Sequence, residues 1–134
     1  MDVVNAKSLI GTWTLLTRVE VTSDGHRRID PILGPDPIAY LIYDAAGHFA
    51  VQFMRRNRET VDGTSGYDAY FGRYQVGADG VVTQALIGAL SQGDVGKVVT
   101  RRCHIDGTEL VIKVETTASD GQPVTRTLRW QRAT

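Results

Sequence analysis

A single cysteine, Cys103, and only four prolines occur in the 134 residues. A lone cysteine closes no internal disulfide, which fits a reducing cytoplasm. Neither sign of charge is in excess, since fifteen Lys+Arg face fifteen Asp+Glu. No net field therefore draws the chain to nucleic acid or to a membrane. Long hydrophobic runs are also missing; nothing approaches the roughly 18 apolar residues of a spanning helix. The N-terminus, MDVVNAKSLIG, lacks the basic and long apolar regions of a signal peptide. No Walker, Gly-x-Gly-x-x-Gly or Gly-x-Ser-x-Gly motif is present, so the reading calls for no cofactor. His26, His48 and His104 lack chelating spacing, and no metal site is expected. Cys103 has no evident base partner and is expected to pack rather than react.

What the chain does contain is β-branched and aromatic segments punctuated by glycine and proline, the pattern of an antiparallel all-β domain. The length fits one domain over residues 1–134. Eight strands are expected at roughly 12–21, 38–43, 48–54, 67–76, 81–90, 97–105, 109–115 and 125–132, with a short helical turn at Val3–Leu9 ahead of them. The connections alternate. Those at Asp44–Gly47, Gly77–Gly80 and Asp106–Thr108 are tight and carry the glycine a hairpin needs. Those at Thr22–Pro37, Arg55–Gly66, Ser91–Gly96 and Thr116–Val124 are longer. In an up-and-down meander, this collects the tight turns at one end and the long loops at the other. Closing the sheet into a barrel removes its unpaired edges and leaves room for one small ligand. An open two-sheet sandwich is the competing architecture.

Gly11-Thr12-Trp13 opens the first strand, and Leu128-Arg129-Trp130-Gln131-Arg132 closes the last. In a closed barrel these segments pair, and Arg132 can lie over Trp13 as a cation–π plug. Gly-x-Trp with a terminal arginine resembles the lipocalins. The longer pattern "LIGTW", "LGPDPIAYLIYDAAGHFAVQFM" and "YDAYFGRYQV" is similar to the bacterial and fungal lipocalin-like domain family over most of the chain. The resemblance implies an eight-stranded up-and-down β-barrel in which Gly11, Trp13 and Arg132 are structural. Fatty-acid-binding proteins share the length and the Gly-x-Trp opening. They place a helix pair after the first strand, where this chain has Gly25, Pro31, Gly34, Pro35 and Pro37, which break helices.

Alternation sorts the second and third strands into two faces. One holds Ala39, Leu41, Tyr43, Phe49, Val51 and Phe53; the other holds Ile38, Tyr40, Ile42, His48, Ala50, Gln52 and Met54. Neither is a plain solvent face, so one lines the lumen and the other calls for a cover. Folded-over loops or a second copy of the chain, as a homodimer, would provide it. On the fourth strand Tyr70, Gly72, Tyr74 and Val76 point inward with Asp68 near the mouth. On the sixth, Val99, Arg101, Cys103 and Ile105 are the expected interior set, followed by Leu110, Ile112 and Val114, then Leu128 and Trp130. An inward Arg101 needs a partner, because an unpaired buried guanidinium costs several kcal/mol. Asp68, a tyrosine hydroxyl or a ligand's anionic group could serve.

The candidate ligand-binding set is therefore Tyr40, Gln52, Met54, Tyr70, Tyr74, Val99 and Arg101. Apolar walls with a few convergent polar groups suit a small hydrophobic molecule with a polar or anionic group. The alternative is a cofactor-independent cyclase, isomerase or lyase acting on a natural-product-like substrate. There Tyr40 and Tyr70 would be proton or hydrogen-bond donors, Gln52 would polarise a carbonyl, Asp68 would be the base and Arg101 would hold developing negative charge. Arg55-Arg56-Asn57-Arg58 reads as a solvated basic rim able to draw anions toward the mouth.

Overall fold

A computed structural model of the chain describes residues 2–58, 65–118 and 120–133. The central part of the Arg55–Gly66 loop and residue 119 lie outside the described residues. Among the described residues there are ten strands: β1 (Asp2–Val3), β2 (Gly11–Thr22), β3 (Arg27–Arg28), β4 (Ile38–Tyr43), β5 (His48–Met54), β6 (Tyr67–Val76), β7 (Val81–Ala89), β8 (Val98–Asp106), β9 (Glu109–Thr117) and β10 (Pro123–Arg132). The helix α1 covers Ala6–Leu9 only, and Val3 belongs to β1 rather than to the expected helical turn. Asn5 starts α1 by accepting the Ser8 amide, while Ser8 accepts the Asn5 amide in return. None of the described helices is long and apolar enough to cross a membrane.

Eight of these strands close into an antiparallel barrel in the order β8-β7-β6-β5-β4-β2-β10-β9, and β9 pairs back onto β8. The two short strands mend edges. β1 pairs with His104 and Ile105 of β8 beyond the point where β7 begins, and β3 pairs with Glu20 and Val21 of β2. The register of β4 on β5 sets Tyr40 opposite Gln52 and Leu41 opposite Val51. Next in line on β6, Val51 faces Tyr70 and Gln52 faces Ala69.

The tight-turn end is sealed as a plug. The Arg132 guanidinium carbon lies 4.3 Å from the centre of the Trp13 ring. Its Nη1 and Nη2 donate to the Ile10 and Ser8 carbonyls at 2.7 Å each, and the Trp13 indole donates to the Leu9 carbonyl at 2.9 Å. These bonds satisfy helix-end carbonyls that would otherwise lack a partner. Gly11 has φ +138°, and a Cβ there would stand 2.6 Å from Arg132 Nη1. Only glycine fits between the plug and the strand.

Two β-bulges re-aim side chains. On β2 the pairing with β10 passes from Trp130↔Leu15 to Arg129↔Thr17, so Leu16 is the extra residue. Trp13 and Leu15 face inward before it; Arg18 and Glu20 face inward after it. Without that insertion the alternation would have turned Val19 and Val21 inside. On β7 the extra residue is Ile87, opposite the Phe71–Gly72 step.

Candidate functional site

Register decides which side chains line the lumen. Because Val51 sits across from Tyr70, the inward face of β4 and β5 is Leu41, Tyr43, Val51 and Phe53. Tyr40, Gln52 and Met54 are on the outer face, contrary to the expected site. Tyr40 is 53% exposed, and Gln52 is occupied in accepting the neighbouring Tyr67 hydroxyl. The physical reason is bulk. The face carrying Tyr43, Phe49 and Phe53 buries more apolar surface than the one carrying Ala50 and Gln52, so burial favours it. Ile38, Tyr40, Ile42, Phe71 and Ile87 remain exposed on the outer wall, uncovered by the described loops.

The other expected inward residues are brought together. Asp68, Tyr70 and Arg101 border an inner chamber of about 60 Å³, walled by Leu41, Val51, Phe53, Ile112, Val114 and Leu128. Val99 lines a wider vestibule of about 560 Å³ under the long loops. Arg18, Asp68, Tyr70, Arg101 and Arg126 border both spaces, forming a polar neck between them. Tyr74 is also buried, but its hydroxyl is spent on the Asp44 carbonyl at 2.7 Å and ties down the base.

Three arginines meet at this neck, and two of them are neutralised. Arg18 Nη1 is 3.0 Å from Asp30 Oδ2, and Arg126 Nε is 2.6 Å from Glu20 Oε1. Glu20, 2% exposed, takes a second bond of 2.6 Å from Arg28, which reaches on to Asp120. Arg101 differs. Its Nη1 bonds only the Thr100 carbonyl, at 3.1 Å, and among the described residues no carboxylate lies within ion-pair distance. Burial works against the Asp30 carboxylate, yet the Ile32 amide, Arg18 and the Leu33 amide together hold it below the ordinary carboxylate range. Asp68 is shifted the other way. Burial pushes its carboxyl upward and Asp94 adds to the push, outweighing the opposing Ala69 amide, Arg18 and Arg126.

Deeper in the chamber, Gln84 Nε2 donates to the Tyr43 hydroxyl at 2.9 Å. Gln84 Oε1 and Trp130 Nε1 are buried without a hydrogen-bond partner among the described residues. Cys103 lies beside this region, and burial pushes its thiol up to about 12, the behaviour of a packing residue rather than a nucleophile. Among the described residues no group of three His, Cys, Asp or Glu side chains could hold a metal ion.

Arg18, Gln84 and Arg126 also line the chamber, and the sequence alone did not place them there. Arg126 shares the parity of Leu128 and Trp130, which was signal enough; Arg18 was hidden by the bulge at Leu16. The basic cluster on the long loop is not a loose rim. Arg55 donates to the Pro31 and Ile32 carbonyls and Arg56 binds Asp36, which fastens the loop carrying Asp30 and buried Leu33 against the mouth.

The comparisons agree with this architecture. Bovine odorant-binding protein, solved in complex with a selenium-containing odorant, superposes with a TM-score of 0.53 at 16% identity, over 98% of this chain and 74% of that one. No curated protein matches the chain in sequence. A model of the lipocalin-like domain family matches residues 10–133, nearly the whole barrel, and the chain belongs to that family.

Proposed function

We propose that the barrel binds one small, mostly apolar molecule whose polar or anionic group is received at the neck by Arg101 and Tyr70. The observation that carries this reading is the Arg101 guanidinium. It borders the lumen without a carboxylate partner among the described residues, while the neighbouring Arg18 and Arg126 are paired. A cation held beside an apolar chamber is costly to leave uncompensated, and a ligand anion offsets that cost. Membership of the lipocalin-like family and the odorant carried by the bovine neighbour support a small hydrophobic ligand. The lone Cys103 supports a cytoplasmic setting.

Octanoate titrated by calorimetry tests the reading. Arg101→Leu is expected to weaken octanoate by roughly 1.5–3 kcal/mol, the scale of a charged hydrogen bond. Equal affinity of the two proteins would overturn the role given to Arg101.

One observation favours a second reading, cofactor-independent catalysis in the same lumen. Asp68 borders the chamber beside Tyr70, and burial shifts its carboxyl upward, the direction that favours proton exchange with a bound substrate. Turnover of a bound substrate that is lost in Asp68→Asn, with binding retained, would separate this reading from simple binding.

A further inference from the structure

We infer that the deep end of the lumen is built to receive a hydroxyl group, so that the ligand is a hydroxyl-tipped molecule entering tip first. The inference rests on the binding reading above and specifies the chemistry of its ligand. Two atoms carry it. Trp130 is 1% exposed and Gln84 3%, and both line the inner chamber. Among the described residues Trp130 Nε1 is a donor with no acceptor, and Gln84 Oε1 is an acceptor with no donor. Elsewhere in the same barrel comparable groups are matched. The Trp13 indole donates to Leu9, and the Tyr74 hydroxyl donates to Asp44. Buried polar atoms left open in an otherwise paired interior point to a missing partner.

The chamber fixes the size of that partner. About 60 Å³ has room for roughly two water molecules, less than a drug-sized body needs. Only the narrow end of a ligand enters it, and the remainder occupies the vestibule. A hydroxyl is the smallest organic group that carries both complements, an acceptor for Trp130 Nε1 and a donor for Gln84 Oε1. A carbonyl would satisfy Trp130 but face the Gln84 oxygen with its own lone pairs. A methyl group would leave both atoms unpaired, and sites built for a hydroxyl reject analogues that lack one.

The test compares 6-hydroxyhexanoate with heptanoate, which has a methyl in place of the hydroxyl at the same length, and with 6-oxoheptanoate, by calorimetry on the whole chain. The expected result is that 6-hydroxyhexanoate binds at least about tenfold more tightly than either analogue. Gln84→Leu and Trp130→Phe should each turn the preference toward heptanoate. If either variant fails to fold, the comparison on the unaltered protein still decides. Heptanoate binding as tightly as the hydroxy acid, or more tightly, means that water alone answers the open atoms; the hydroxyl inference is then overturned while the binding reading stands. Tightest binding by 6-oxoheptanoate overturns it in favour of a carbonyl. Binding by none of the three overturns the inference and the binding reading together.

Discussion

Asp68 and Asp30 face the same space with opposite consequences for stability. The Asp30 pKa is lowered on folding, so its stabilisation is present above the unfolded value and is lost as pH falls through the folded one. The Asp68 pKa is raised, chiefly by burial. Its contribution is full below the ordinary value of 3.8 and disappears as pH rises through the folded value. Above that ordinary value, burying the Asp68 carboxyl is therefore a cost to folding that is retained at the neck. Asp68→Asn should unfold at a higher urea concentration than the parent at pH 7, and the advantage should vanish as pH is lowered to the ordinary carboxylate range. A variant that is less stable at pH 7 would show that the carboxylate is stabilising and that burial does not dominate its environment.

At the scale of elements, the β2 bulge matters most for the site. One extra residue, Leu16, turns Arg18 and Glu20 inward, where β10 sets Arg126 opposite Glu20. The result is a carboxylate held by two arginines at 2.6 Å each, joining the bulged strand, β3 and β10 at the mouth. Glu20→Ala leaves those guanidinium groups uncompensated and should cost about 3 kcal/mol in denaturant unfolding, as expected when one partner of a buried ion pair is removed. A loss below ~0.5 kcal/mol would place the network with ordinary surface pairs. The same bulge shows where sequence reasoning stops. The ranges 38–43, 48–54 and 67–76 were readable to the residue, because each is a β-branched or aromatic run ended by glycine, proline or a charged turn. Arg101, Tyr70 and Asp68 were readable from alternation along straight strands. Tyr40 and Gln52 were not, because both faces of β4 and β5 are apolar and alternation alone cannot say which is inside. Arg18 was not, because a leucine inserted in an apolar strand looks like any other strand residue. The strands β1 and β3 are two residues each, too short to show a pattern.

The molecule as a whole has one sealed end and one accessible end. Trp13, Arg132 and α1 close the tight-turn end; the vestibule opens among the long loops, and the two spaces meet at the polar neck. Alternating short and long connections make this polarity readable in the sequence. The two tryptophans report on different parts of that design, because the Trp13 indole in the plug is already bonded to Leu9 while Trp130 lines the chamber and its indole has no acceptor among the described residues. Two-dimensional 15N–1H NMR of the chain resolves the two indole N–H signals, and Trp130→Phe assigns them. On titration with 6-hydroxyhexanoate or octanoate, the Trp130 signal should move in a saturable manner while the Trp13 signal stays in place. Saturable binding that leaves the Trp130 signal unmoved would put the ligand outside the lumen and contradict the account.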